Sequence, residues 1–494
     1  MRPSCFQRSV SVVCMLMTLL VCAHSAAAAE SFAKKPAKYV FLFIGDGMGL
    51  PQKQATEAFT GRQLVLDSFP VHGITTTPAA NRFIVDSAAA ATAMSTGQLT
   101  DVGMIGMAPD KTKVKTIAEM AREKGMKVGI VSSVSIDHAT PAAFYAHEES
   151  RNLYHYIDHA LASSGFDYFA GGGIKDPAGK RKGVEPRGNA MDAIKNAGYK
   201  VVTDRDEFLK LNRKDGKVFA YNSWLQDSGA LPYAMDSRPG KDITLAEFTA
   251  KGIDLLDNSK GFFMMVEGGK IDWACHANDA KAAIMDTVAF DEAVAEAVRF
   301  YKKHPDETLI VVTGDHECGG MTLGFAGTAY ESDFDVLKKQ YVSFQYFADD
   351  VLKLFKKEHQ GSLAFNDLKP TITHYFGLQF AGDHADPMYV QPHELAQLQD
   401  AFVKSVAGDS MKLNDPVSVN LYGGYDPLIV TITHLLNNKA GLAWTSFSHT
   451  AVPVGTTAVG RGADLFGGSY HQTAIAKKIM TAMGVKPHVY VAAN

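Results

Sequence analysis

Four groups of acids and histidines sit at the ends of apolar runs, far apart along the chain. They are Gly45-Asp46-Gly47-Met48-Gly49, the stretch from Glu267 to His276, Thr313-Gly314-Asp315-His316-Glu317, and Ser448-His449-Thr450. Carboxylates and imidazoles are side chains that ligate metal ions. Asp272 and His276 are four residues apart, so on a helix they share a face and can grip one ion. Asp315 and His316 are adjacent and need an irregular loop to converge. Gly45 and Gly47 let the backbone at Asp46 pass close to an ion. A further element is Asp86-Ser87, followed by Ala88 to Ala91, Thr92 and Ala93. That alanine run is strongly helix-forming and puts Ser87 at a helix N-terminus. There the unpaired amides and the dipole favour an alkoxide and a bound phosphate. Each group alone has a plainer explanation, as a polar loop or, for Asp86 and Ser87, a helix N-cap. Together they point to hydrolysis at several metal ions, with Ser87 as nucleophile.

The elements that must position these residues are legible as apolar, β-branched runs alternating with helical patterns. Tyr39 to Ile44, Lys127 to Val134, Phe262 to Val266 and Thr308 to Val312 read as strands. Lys115 to Lys124 reads as a helix closed by Gly125, and Asp137 to Pro141 as a turn. Continuous apolar strands alternating with helices predict an α/β fold, a central mostly parallel sheet with helices on both faces. Ligands gather outside the carboxyl ends of such strands, which is where the acids and histidines fall. The stretch 330–408 is aromatic and amphipathic, with helical patches at Phe347 to Lys357 and His393 to Val406, and reads as an insertion. The core is then 30–329 and 409–494. The basic, Gly/Pro-rich segment from Lys175 to Arg187 reads as a solvated surface loop.

Residues 1–29 carry Arg2 and Arg8, an apolar run from Val10 to Val21, and small residues from Ala26 to Ala29. This is the pattern of a secretory signal peptide, with the mature chain expected from near Glu30 in the periplasm or outside the cell. A lipoprotein signal at Cys22 is a poorer match because Val21 is large for its position. No later run is long enough to span a membrane. Over 494 residues the chain is 46% hydrophobic and 21% charged, as in an ordinary large globular protein. A net charge of -4 argues against a nucleic-acid-coating role. Removal of the signal leaves Cys275 and Cys318. Both lie beside candidate ligands, and a zinc thiolate, a disulfide or two buried thiols remain open, the last being expected.

The ordered motifs resemble the bacterial, metal-dependent alkaline phosphatase family. They run from Val85-Asp86-Ser87-Ala88 to Met94-Ser95-Thr96-Gly97, then His138-Ala139-Thr140-Pro141-Ala142-Ala143, Ala146-His147, Ser150-Arg151 and Gly171-Gly172-Gly173. EGGKIDWACH, TGDHECGG and HTAVPV follow, and Gly462-Ala463 to Ile475-Ala476 completes the match. The resemblance implies two Zn2+ and one Mg2+ per subunit. Asp272, His276 and His449 resemble the ligands of the first zinc, and Asp46, Asp315 and His316 those of the second. Asp46 would also reach the magnesium, with Thr140 and Glu267. Arg151 resembles the guanidinium that grips phosphate, and Ser87 the nucleophile of a double displacement through phosphoserine. Small phosphate monoesters would be the substrates, inorganic phosphate the product and a homodimer the assembly. The insertion would be a subunit contact.

The enteric pattern has an aspartate at position 138 and a lysine at 273, where this chain has His138 and Trp273. With the long stretch between His316 and His449, these residues look more like the marine Vibrio type. His138 and Trp273 would flank the magnesium and phosphate without a lysine charge. Other outcomes are a phosphodiesterase of the same superfamily or a non-enzymatic secreted metal-binding protein. A sulfatase would need x-Pro-x-Arg after its nucleophile, and Ser87 is followed by Ala88-Ala89.

Overall fold

The structure, a computed structural model, describes residues 35–359, 363–407 and 415–486. The expected signal segment 1–29 and the expected boundary at 408 lie outside the described residues. Fourteen strands, in chain order, are β1 Tyr39–Gly45, β2 Val71–Thr76, β3 Lys127–Ser132, β4 Tyr168–Gly171, β5 Tyr199–Val202, β6 Lys217–Tyr221, β7 Phe262–Gly268, β8 Thr308–Gly314, β9 Glu317–Cys318, β10 Thr322–Leu323, β11 Leu442–Ala443, β12 His449–Thr450, β13 Val454–Gly460 and β14 Gly468–His471. Ten of them form one sheet in the order β14-β2-β13-β8-β1-β7-β3-β4-β6-β5. All pairings in it are parallel except those of β13, which runs antiparallel to both β8 and β2. The sheet is therefore mostly parallel, as the sequence pattern predicts.

β1 is buried along its whole length because both of its faces are covered. Phe41 and Phe43 join the core on one face, and Val40, Leu42 and Ile44 join the core on the other. β7 repeats the alternation, with Phe262, Met264 and Val266 against Phe263 and Met265. The three central strands also end level. Gly45 pairs with Gly268 on one side and Gly314 on the other. Their carboxyl ends consequently deliver Asp46, the Asp272 helix and Asp315 to a single edge of the sheet.

The expected helix at Lys115 to Lys124 is shorter, Ile117–Glu123, because Thr116 and Glu119 form a capping box at its start. The expected turn at Asp137 to Pro141 is a single helical turn, Ala139–Ala142, entered through His138. The described part of the stretch 330–408, expected as an insertion, carries helices Lys353–Glu358, Phe365–Phe376 and Pro392–Ala407. Its Phe347, Phe365, Leu368 and Ile372 join the same core as β1 and β7. Gln340 Nε2 donates to both Asp279 oxygens at 3.0 and 2.9 Å, and Phe344 N donates to Asp279 Oδ2 at 2.9 Å. Asp279 in turn caps the long Ala280–Tyr301 helix, so the insertion is bonded into the element that follows Asp272 and His276.

Candidate active site

Ser87 begins the Ser87–Thr96 helix, all ten residues of which are buried. Its alanines let this helix pack closely against the Thr473–Ala482 helix and the Ala139–Ala142 turn. Asp86 caps it, accepting from Ala89 N at 3.0 Å, and also accepts from Gly103 N at 3.1 Å. The other Asp86 oxygen accepts from Arg151 Nη1 at 3.1 Å. Arg151 Nη2 donates to His138 Nε2 at 3.1 Å. The guanidinium is thus set in place from both sides beside the serine.

The expected residues converge in two compact sets. His316 Nε2 lies 3.3 Å from each of three oxygens, Ser87 Oγ, Asp46 Oδ1 and Asp315 Oδ2. In the second set His276 Nε2 lies 3.1 Å from His449 Nε2, and Asp272 oxygens lie 3.4 Å from His276 Nε2 and 3.5 Å from His449 Nε2. Four donors on a tetrahedron around zinc, with bonds of about 2.0–2.2 Å, stand about 3.3–3.5 Å apart along each edge. The observed spacings match that figure, the His276–His449 pair being slightly shorter. The histidines are oriented from behind, since His276 Nδ1 donates to Phe447 O at 2.6 Å and His449 Nδ1 to Val85 O at 2.8 Å. That leaves Nε2 of each ring as the inward-facing donor.

A third grouping joins Asp46, Glu267 and His138, with Thr140 buried alongside. Glu267 takes a short hydrogen bond from Ser132 Oγ. Both Asp46 oxygens, Glu267 Oε1, Thr140 Oγ1, Asp272 Oδ1 and Asp315 Oδ2 are buried with no hydrogen-bond partner. Buried orphaned oxygens at this density are costly unless cations neutralise them. Burial first, and then the neighbouring carboxylates, push Asp46 and Asp315 well above the usual range. Burial pushes Glu267 up to about 7. For Asp272 burial is opposed and outweighed by His276 and His449, which hold it well below the usual range. The donor set therefore fits two ions with mixed N/O ligands and one with oxygen ligands. His138 does not extend the oxygen set. Its Nε2 accepts from Arg151, so its proton sits on Nδ1 and no lone pair is left over. Burial, then Arg151, keeps it neutral by lowering its pKa well below the ordinary value.

Trp273 meets His138 edge-on with ring centroids 5.7 Å apart. Positive charge is not absent there, because Lys270 Nζ lies 4.9 Å and Lys175 Nζ 5.8 Å from the Trp273 ring. Cys275 and Cys318 are free, buried thiols. Cys318 falls within the Asp272 grouping, but its Sγ lies 3.7 Å from Asp272 O as a weak donor, and burial raises its pKa well above the ordinary thiol value.

The bracing done by three residues, one of them in an acidic group already singled out, escapes sequence inspection. Glu317 accepts from Gln52 Nε2 at 2.7 Å and, through a short bond, from Thr450 Oγ1. It thereby locks the β9–β12 pair that brings His316 and His449 together. Asn278, in the left-handed region at φ 53°, donates to Cys275 O at 2.8 Å and Ser446 O at 2.9 Å. That joins the end of the His276 helix to the approach of His449. A positive-φ asparagine leaves no motif in a single sequence, and Gln52 and Glu317 acquire meaning only from distant partners.

The chain resembles known proteins over nearly all of its length. The alkaline phosphatase family model matches residues 37–485. Alkaline phosphatase 3 of Bacillus subtilis is 31% identical, with 90% of this chain and 89% of that protein aligned. Alkaline phosphatase of Escherichia coli is 33% identical over 59% of this chain and 73% of its own. The cold-active alkaline phosphatase of a psychrophilic Shewanella superposes with a TM-score of 0.73 at 28% identity, covering 90% of this chain and 99% of its own. A variant of the alkaline phosphatase from the Antarctic bacterium TAB5, with a histidine changed to aspartate and Mg bound in its M3 site, superposes at 0.62 with 26% identity over 92% of this chain and 99% of its own. The sheet, the level strand ends and these matches agree, and the chain belongs to the alkaline phosphatase family.

Proposed function

We propose that this chain hydrolyses phosphate monoesters through a phosphoserine at Ser87. The observation that carries the proposal is the placement of Ser87 Oγ at one corner of the 3.3 Å set around His316 Nε2. Asp272, His276 and His449 would hold one zinc, Asp46, Asp315 and His316 a second, and Asp46, Thr140 and Glu267 a magnesium. When bound, such ions supply positive charge that favours an alkoxide and a hydroxide near neutral pH. Ser87 Oγ attacks phosphorus, and the bond to the leaving alcohol breaks. Water then attacks the phosphoserine, the P–Oγ bond breaks, and inorganic phosphate departs with Ser87 restored. Arg151, aligned beforehand by Asp86 and His138, holds non-bridging oxygens throughout. His138 and Trp273 act behind these groups as neutral spacers, and a histidine at position 138 is consistent with a type nearer the Vibrio form. The TAB5 variant that holds Mg in its M3 site has a histidine changed to aspartate, so metal analysis of this chain is the test of the third ion.

A decisive experiment incubates wild type and Ser87→Ala with radiolabelled substrate and quenches in acid. Label should stay on the wild type and be lost from the variant. Equal labelling would rule out Ser87 as the nucleophile. Metal content by mass spectrometry should return two zinc and one magnesium per chain, and turnover of p-nitrophenyl phosphate should greatly exceed that of its bis-ester. We further propose an exported homodimer with 330–408 at the subunit contact, checked by light scattering and by sequencing the mature N-terminus. No helix among the described residues is long and apolar enough to cross a membrane.

A further inference from the structure

Asn81 to Val85 form a strip that leads directly into Asp86 and Ser87. The strip is pinned at both ends. Ala79 N donates to Arg82 O at 2.9 Å and Val102 N to Asn81 Oδ1 at 3.0 Å. At the other end Val85 O accepts from His449 Nδ1 at 2.8 Å. Between the pins Phe83 is 73% exposed and Ile84 49% exposed. Isolated surface hydrophobes need no explanation. This pair, however, lines a cleft of about 800 Å³ whose wall also includes Val102, His276 and His449. It is an open depression with more room than a phosphate group requires.

We propose that the Phe83–Ile84 strip is the subsite for the leaving group, and that it selects monoesters whose alcohol part is aromatic. The inference rests on the phosphatase reading above. In an in-line displacement the alcohol leaves on the side of phosphorus opposite Ser87 Oγ. Beside the Ser87 set stands the His276–His449 pair, and its continuation outward is the cleft. An exposed phenyl ring on a strip whose backbone is pinned on both sides offers a face or edge to a planar ligand.

The test compares 1-naphthyl phosphate with methyl phosphate in wild type, Phe83→Ala and Phe83→Trp, all metal-loaded. In Phe83→Ala the naphthyl-to-methyl ratio of kcat/KM should fall about fivefold, the size of one aromatic contact. In Phe83→Trp the ratio should hold or rise. A ratio that stays constant across the three proteins would overturn the subsite. If the wild type released phosphate from neither ester, the phosphatase reading itself would fail, so the two failures are distinct. Phe83 is exposed, and equal thermal midpoints verify that both variants fold.

Discussion

Asp86 does two jobs with one carboxylate, and two substitutions can separate them. One oxygen receives the backbone N–H groups of Ala89 and Gly103, and the other receives Arg151 Nη1. Asp86→Asn keeps a carbonyl oxygen for the two amides but removes the charge. Asp86→Ala removes everything. A helix cap contributes about 1 kcal/mol, and the Gly103 hydrogen bond about 1 kcal/mol. The Arg151 pair, with side chains 22% and 17% exposed, contributes about 1 kcal/mol after solvent screening. Asp86→Ala should therefore lower unfolding free energy by about 3 kcal/mol and Asp86→Asn by about 1 kcal/mol. Both variants lose the negative charge facing the phosphate site. At a separation of about 6 Å and water-like screening that charge costs a bound anion about 0.7 kcal/mol, a gain of about threefold on its removal that the loss of Arg151 alignment opposes, so the phosphate inhibition constant should shift equally in both variants. Urea unfolding of the metal-loaded proteins and phosphate inhibition of p-nitrophenyl phosphate turnover supply the two readouts. Equal destabilisation by Asn and Ala would refute the capping argument. A phosphate constant that shifts only in the Ala variant would refute the electrostatic one.

Arg151→Lys keeps the charge but loses the two-pronged grip, so KM and the phosphate inhibition constant should rise roughly tenfold or more, and a change below twofold would contradict its phosphate role. Chelation should abolish turnover and lower the thermal midpoint together, because the orphaned carboxylates then repel one another; zinc with magnesium should restore both. Asp158 is pushed up to about 10, by burial first and then by Asp137. The folded chain therefore holds a proton there that the unfolded chain releases above about pH 4, so this group loses stability as pH rises between those values. Asp158→Asn should gain stability relative to wild type at pH 9 but not at pH 4, and an identical difference at both would refute the assignment. Gln340→Leu removes both hydrogen bonds to Asp279 and should destabilise by about 1–3 kcal/mol, read by urea midpoint, with metal content unchanged.

Much of this architecture is legible because the informative residues are local. β1, β7 and β8 are largely apolar runs ending in Gly45, Gly268 and Gly314; Asp46 and Asp315 follow two of them directly, and Asp272 comes four residues after the third. Asp272 and His276 announce their shared face by spacing alone. The antiparallel course of β13 has no such signal, since a buried strand reads the same in either direction. Nor does the bracing at Glu317, Gln52 and Asn278, whose partners lie in other segments. Trp273 illustrates the same limit. Its identity shows that a lysine is missing at one position, but only the fold reveals that Lys270 and Lys175 approach its ring.

The place of His449, just ahead of β13 in the chain, also dictates an order of assembly. Asp46 and Asp315 follow their strands directly, and the Asp272 helix follows β7, whereas His449 precedes β13, which must enter between β8 and β2. A chain emerging N-terminus first has every other candidate ligand available long before this one, separated from Asp46 by roughly 400 residues of sequence, a contact of very high order. The Asp272–His276–His449 set therefore stays open until synthesis is nearly finished. A truncation just before residue 449 should yield a chain that retains β1 to β11 and cannot complete that set. Completion of this one set is thus a late event in the life of the polypeptide, because its last donor lies just ahead of β13.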